Sequence, residues 1–361
     1  MKDDALRYGL IGTGMMGIEH IENILALDRC EVVAFSDPAP ASRENAAAVL
    51  SADARGYADH RTMLEDPDLD VVVLVSPNFT HIDVLRDILT SRPDLHLLLE
   101  KPLCTTVADC EEVIRLAQGR SGLVWMGLEY RYMAPVARLL DEVRSGVAGS
   151  PLMVTIREHR FPFLKKVGDW NRFSRNTGGT LVEKCCHFFD LMSLIIQDEP
   201  VRVFASGAHD VNHLDERYNG EQPDILDNAF VIVDYANGQR AMLDLCMFAD
   251  ATRNQEEISV VGELGKVEAL IPQDVVRVGR RGTDWIGEVV DQPVVLDPTA
   301  YVGLHHGSSF IEHQKFARCI REGTKPEVSL AEGLMSVAVG AAAHRSIDEG
   351  RPVMVAEMFS A

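Results

Sequence analysis

Six residues, Gly12-Thr13-Gly14-Met15-Met16-Gly17, constrain this chain more than any other feature. They match the spacing G-x-G-x-x-G. They follow a short apolar strand, Tyr8 to Ile11, and open a helical pattern with Ile18, Ile21 and Leu25 on one side. The first glycine permits a tight turn, the second lets backbone approach a pyrophosphate, and the third lets helix pack closely on strand. The helix N-terminus then offers free N–H groups and the positive end of its dipole to phosphate oxygens. A glycine-rich turn without a ligand is the alternative, and the strand–helix context weighs against it. A second strand, Glu31 to Phe35, ends at Ser36-Asp37-Pro38, and Asp37 stands 20 residues beyond Gly17. An acid there binds ribose hydroxyls and repels a 2′-phosphate, which favours NAD. Ser36, Ser42 and Arg43 lie close by and keep NADP open, and a plain Asp-Pro turn is the other reading of Asp37.

The alternation continues. An alanine-rich helix covers 39–50, and Asp70 to Val75 is an almost pure valine strand of the kind buried on both faces. A helix at 80–90, a strand at His96 to Leu99, a helix near 106–118 and a strand at Leu123 to Met126 complete a doubly wound parallel sheet over residues 1–127. After residue 128 the rhythm changes. Longer strands are expected at 152–160, 201–208, 228–236, 239–248, 256–262 and 274–278, with an Asn-Gly hairpin signal at Ala236-Asn237-Gly238-Gln239. One helix is expected over 180–196, and two more near 308–322 and 330–349. Residues 128–361 therefore read as an α+β domain with a large, mostly antiparallel sheet and helices on one face, its last helices able to return to the first domain.

Composition narrows the partners. A net charge of −20 argues against nucleic acid, which needs clustered Lys and Arg. No stretch approaches the roughly 18 apolar residues of a membrane span. The start, Met1-Lys2-Asp3-Asp4, lacks the basic and apolar regions of a signal peptide, and seven scattered cysteines read as reduced thiols, so a cytoplasmic location is expected. Cys185-Cys186-His187 is the densest run of metal-ligand types, but adjacent helical residues point about 100° apart and no C-x-x-C or H-x-x-x-H partner appears, so no metal is expected.

Four further segments carry a resemblance. Ser76-Pro77-Asn78-Phe79-Thr80-His81 follows the valine strand, and Glu100-Lys101-Pro102 follows the fourth main strand. Glu129-Tyr130-Arg131-Tyr132 opens the second domain, and Gly178-Gly179-Thr180-Leu181 precedes Glu183-Lys184-Cys185-Cys186-His187-Phe188-Phe189-Asp190. In this order and spacing the whole chain resembles the glucose–fructose oxidoreductase and inositol dehydrogenase (Gfo/Idh/MocA) family. The resemblance implies a Rossmann domain followed by an open-faced sheet that often mediates oligomerisation, here a dimer or tetramer. It implies NAD(P)-linked oxidation or reduction at a carbon of a sugar, inositol or related polyol. The lysine of the E-K-P element sits near nicotinamide and substrate hydroxyl in the family, a role that passes to Lys101. A D-x-x-x-H pair supplies an acid/base histidine, which His187 matches. Glu183 takes the aspartate position, and the longer arm leaves its role as orienter or substrate ligand open.

The residues support that chemistry independently. Histidine suits proton transfer from an alcohol because its pKa lies near neutrality. On one predicted helix Glu183 and His187 share a face, which Asp190 extends. A histidine bridging within the core is the competing reading. Lys101 lies at the carboxyl end of a parallel strand, where ligands bind in such folds; otherwise it is a surface lysine paired with Glu100. The cofactor is expected along Gly12, Thr13, Gly14, Met15, Met16, Gly17, Asp37, Ser76, Asn78, His81, Glu100, Lys101 and Arg131. His81 serves equally as a loop cap, and Arg131 equally as a domain-bridging ion pair. Trp170, Asn171 and Arg172 form a substrate-loop candidate or mere packing. His305-His306 and Lys165-Lys166 are weaker candidates for the cleft rim. The leading expectation is an NAD-dependent dehydrogenase using Lys101, His187 and Glu183 on a polyol or sugar held also by Trp170, Asn171, Arg172 and Asp190. The alternatives are an NADP-preferring reductase, an NAD-assisted glycosidase and a non-catalytic nucleotide-binding regulator.

Overall fold

The computed structural model describes residues 5–282, 287–295, 300–303 and 305–360. The chain forms two compact units. The first runs to Glu129 and takes in Lys166–Trp170 and residues 298–334; the second holds residues 130–165, 171–297 and those from 335 onward.

In the first unit six parallel strands, β1 (Leu6–Ile11), β2 (Cys30–Ser36), β3 (Arg55–Tyr57), β4 (Val71–Leu74), β5 (His96–Glu100) and β6 (Val124–Gly127), lie in the order β3-β2-β1-β4-β5-β6. The order reverses between β1 and β4, which makes the carboxyl ends of these strands the place for a ligand. All four residues of β4 are inaccessible to water, as are Leu97 and Leu98, which is why these strands read as unbroken apolar runs. The helices Met15–Leu25 and Ser308–Glu322 pack against one another, as do His81–Ser91 and Val107–Leu116.

The glycine loop shows why each glycine is there. Gly12 has φ +96°, and a Cβ on it would come within 2.7 Å of the backbone of Val75 and Ser76. A Cβ on Gly17 would run into the Gly12 carbonyl oxygen, so helix and loop touch backbone to backbone. Gly14 differs: its φ is −68°, and a Cβ there would meet nothing within 4 Å.

The second unit holds a nine-stranded sheet. Its strands are β7 (Pro151–His159), β8 (Pro200–Ala208), β9 (Asn228–Tyr235), β10 (Arg240–Cys246), β11 (Glu256–Gly262), β12 (Gly265–Ile271), β13 (Val275–Arg280), β14 (Glu288–Pro293) and β15 (Val353–Met354). They lie in the order β14-β13-β12-β11-β7-β10-β9-β8-β15, antiparallel throughout except for the parallel pair β7–β10. Strict alternation drives it. In β9, Ala229, Val231, Val233 and Tyr235 are buried while Phe230 and Ile232 face outward. The helix Ala134–Arg144 packs on β12 and β13, and the helix Cys186–Ile196 packs on β7. β12, β14 and the two-residue β15 have no counterpart among the strands read from sequence. β12 follows β11 after only Glu263 and Leu264, and β14 is largely exposed and shows no apolar alternation.

One expectation fails here. The single helix over 180–196 is two, Thr180–Glu183 and Cys186–Ile196, with Lys184 and Cys185 in the turn between them. Val182 and Glu183 N–H bond back to the Gly179 carbonyl, whereas Phe188 and Phe189 N–H both bond to that of Cys185. The break coincides with Lys184, whose buried ammonium reaches the Glu158 carboxylate at 2.9 Å. Glu183 and His187 are therefore not partners on one continuous helical face. Among the described residues no helix is long and apolar enough to cross a membrane.

Gly17→Ala is expected to destabilise the protein by about 1–3 kcal/mol, because the clash is with backbone that cannot rotate away. Gly14→Ala should leave stability within about 1 kcal/mol. Thermal or urea denaturation of the two variants checks this, and equal stability losses would contradict the backbone contact.

Candidate active site

The first unit gathers the expected cofactor residues other than Arg131 around the ends of β1, β2, β4 and β5. The helix Met15–Leu25 has Gly14 at its N-cap, no side-chain cap and no acid in its first turn, so its leading N–H groups face no competing carboxylate from the helix itself. Asp37 sits just past β2, its Oδ2 accepting from Thr13 N–H at 2.9 Å and its Oδ1 from Ala39 N–H at 2.8 Å. It is thus both an Asp-Pro turn and a carboxylate fixed against the glycine loop. Arg43 does not reach outward as a phosphate ligand would; its Nη1 donates to the Asp37 and Pro38 carbonyls at 2.6 and 3.1 Å. Thr13 Oγ1 and Asn78 Nδ2 are buried and have no hydrogen-bond partner among the described residues. Open space at Gly14, a free helix terminus and these two polar atoms fit a dinucleotide.

Ser76 shares a 2.7 Å hydrogen bond with the Thr80 hydroxyl. His81 is buried, its Nδ1 2.9 Å from the Pro102 carbonyl and its Nε2 3.1 Å from that of Ser76, while burial lowers its pKa. It clamps the loop after β4 to the loop after β5. Glu100 is buried at the end of β5, with Oε1 2.8 Å from His20 Nε2 and Oε2 accepting from Lys101 N–H at 3.1 Å. Burial raises its pKa, but the bond and charge of His20 and the charge of Lys101 outweigh that and hold the carboxyl at about 2. His20 Nδ1 in turn meets His313 Nε2 at 2.8 Å. Lys101 itself is half-buried. Met15 is exposed and Met16 partly so. His305 lies 3.6 Å from Glu19 and 3.7 Å from the buried Glu129; burial lowers its pKa, but these carboxylates raise it on balance. Trp170 meets Phe79 edge-on at 6.2 Å.

The second unit builds the other candidate residues on the glycine pair. Gly178 and Gly179 have φ +81° and +87°, and a Cβ on Gly179 would strike the His344 imidazole. That ring accepts from Leu181 N–H, and burial, holding its pKa near 4, keeps it neutral for the task. The chain then presents Glu183, Lys184 and His187, all buried. His187 lies flat on Tyr130, with ring centroids 4.1 Å apart and planes 8° apart. Asp190 faces Arg131. It takes both Nε (2.7 Å) and Nη2 of Arg131 in a buried two-pronged ion pair within this unit. Arg131, expected at the cofactor or in a domain-bridging ion pair, and Asp190, expected toward the substrate, are joined to each other here.

The substrate-loop candidates part company. Asn171 is buried and donates to the Leu164 carbonyl at 3.0 Å, and Arg172 is buried and donates to Glu216 at 2.8 Å. Lys165 is exposed. Four side chains escaped the sequence reading: His20, His313, Glu158 and Lys184. The signals were faint: a histidine on an otherwise apolar helical face, a glutamate at an inward strand position, and a lysine between two expected site residues in a chain with eight lysines. Among the described residues no group of three or more His, Cys, Asp or Glu side chains converges as a metal site, and Cys185 and Cys186 are buried in the core.

Residues 6–128 match the model of an oxidoreductase family's NAD-binding Rossmann fold, and residues 141–355 match that of its C-terminal alpha/beta domain. Myo-inositol 2-dehydrogenase of Thermotoga maritima is 27% identical over 98% of this chain and all of its own. The crystal structure of a probable dehydrogenase from the same organism superposes with a TM-score of 0.79 at 25% identity, covering 98% of this chain and 100% of that one. Levoglucosan dehydrogenase, solved with NADH and levoglucosan, has a TM-score of 0.84 at 20% identity over 98% of this chain, which speaks to the fold. With both of its domains matched in order along nearly the whole length, the chain belongs to the Gfo/Idh/MocA oxidoreductase family, whose N-terminal domain binds NAD.

Proposed function

We propose that the protein is an NAD-dependent dehydrogenase acting on a ring hydroxyl of an inositol, a related polyol or a sugar. The observation that carries the reading is His187: buried and held flat against Tyr130, in a chain matched end to end with a myo-inositol 2-dehydrogenase. NAD, when bound, supplies the hydride acceptor. Gly12 to Gly17 hold its pyrophosphate, Asp37 its ribose, and Asn78 a further polar edge. His187 accepts the hydroxyl proton, which requires its neutral imidazole, and Lys101 steadies the negative charge developing on that oxygen. In reduction the same groups return the proton. Glu183 orients His187 or the substrate. Arg131, Asp190 and His81 act at one remove, by fixing the segments that carry these residues.

The preference for NAD rests on the Asp37 carboxylate and on Arg43 being tied to backbone carbonyls. We further propose a homo-oligomer closed through the outer face of the nine-stranded sheet, where Phe204, Phe230 and Ile232 are exposed beside one another on paired strands. A cytoplasmic location accords with its free cysteines.

Absorbance at 340 nm with NAD, and separately NADP, against inositols, aldoses, anhydrosugars and glycosides tests the activity. His187→Ala and Lys101→Ala are expected to lower kcat by about 10²–10⁴ while NAD affinity stays within a few-fold. Unchanged turnover in either removes that residue from the mechanism. A wild-type protein that binds NAD but gives no absorbance change with the panel, in either direction, leaves the NAD-assisted glycosidase and the regulator, which a direct assay for glycoside cleavage separates. Asp37→Ala should weaken NAD about ten- to hundredfold and narrow the NAD/NADP ratio; an unaltered ratio makes Asp37 a turn residue only. Phe230→Glu should shift the sedimentation coefficient to that of a monomer, and an unshifted boundary would place the interface elsewhere.

A further inference from the structure

Lys184 is the least expected charge in the molecule. It is buried in the turn that breaks the helix after Glu183, three residues before His187. Its Nζ donates to the Tyr130 hydroxyl at 2.6 Å and pairs with Glu158 Oε1 at 2.9 Å, and it also lies 4.9 Å from the centroid of the Tyr130 ring. That ring is the one stacked on His187. Glu158 is itself inaccessible to water and is shared with Arg160 at 3.2 Å.

We propose that Lys184 is a positioning residue that, through the Tyr130 phenol, holds the His187 imidazole in place and disfavours its protonated form. This rests on the reading of His187 as the acid/base group. The groups around the pair are Tyr130 and Arg131 from the 129–132 turn, Glu158 and Arg160 from β7 and its end, Glu256 from β11, and Glu183 and Asp190 in the same stretch of chain as His187. Asp190 is neutralised by Arg131. Burial, reinforced by Glu158, pushes the Glu256 carboxyl up to about 7. Lys184 and Arg160 both contact Glu158, so below that pH this contact cluster carries one positive charge, and its Coulomb effect on the adjacent imidazole is to resist protonation. An ammonium drawing on the phenol oxygen also depletes the ring face that would otherwise stabilise an imidazolium. Both effects have the same sign: they keep His187 ready to accept a proton.

The test is an NMR titration of the His187 imidazole in histidine-labelled protein, assigned by the resonance lost in His187→Asn. In Lys184→Met the His187 pKa should rise by about 0.5–1 unit, and in Lys184→Arg it should stay within about 0.2 unit of wild type. Tyr130→Phe keeps the ring and severs the hydroxyl link; it should give a smaller rise, and it decides the matter if Lys184→Met does not fold. Titrations within about 0.2 unit of wild type in both Lys184→Met and Tyr130→Phe overturn the proposal. The acidic limb of kcat/KM should follow the NMR shift. Because the titration needs no turnover, a His187→Ala enzyme that remains active would defeat the role of His187 as base without touching the measured coupling, and the two failures stay separate.

Discussion

The buried pair of Arg131 and Asp190 is the constraint on which the second unit's chemistry hangs. It ties the 129–132 turn to the helix Cys186–Ile196, and that tie lays Tyr130 on His187 and brings its hydroxyl to Lys184. The two side chains are only 7% and 3% exposed. Removing one partner of such a pair leaves a bare charge in the interior and typically costs about 3–5 kcal/mol, whereas replacing both together can be nearly neutral. The pair contributes orientation more than net stability, which is what a site built on a flat ring stack requires.

The first unit solves a different problem, bringing backbone near a ligand, and it uses the absence of side chains to do so. Gly12 and Gly17 touch across the loop, and Gly14 keeps its flank clear. Behind them Glu100, His20 and His313 form a buried polar chain from the end of β5 through the glycine-loop helix to the helix Ser308–Glu322. A segment nearly two hundred residues after β6 thus helps to fix the loop that begins the chain.

Much of this was legible in the sequence because its signals are local. Strand–helix alternation, the glycine spacing with Asp37 after it, and the two-residue alternation of the long strands each lie within a dozen residues, and each appears where the pattern put it. What was not legible depends on partners far apart in the chain. Nothing local in the sequence pairs Arg172 with Glu216 or Asp190 with Arg131, which stand 44 and 59 residues apart in the chain. The break at Lys184 was hidden for the same reason: 180–196 has helical periodicity, and the Glu158 carboxylate that Lys184 meets lies on β7, outside that window. β14 escaped because an exposed edge strand buries no alternating face.

Asp37 holds the glycine loop by Thr13, its own turn by Ala39, and, through its carbonyl, the Arg43 guanidinium. If Asp37 meets the ribose as proposed, cofactor affinity and cofactor choice are mechanically coupled in this chain. Neutralising the carboxylate slackens the loop that grips either dinucleotide in the same stroke that lifts the repulsion of one of them. A lineage drifting toward the other cofactor would pass through weaker binding of both, and so would an engineer who changed that residue alone. The accessible route runs first through the turn, freeing Arg43 from its carbonyls, and only then through the acid.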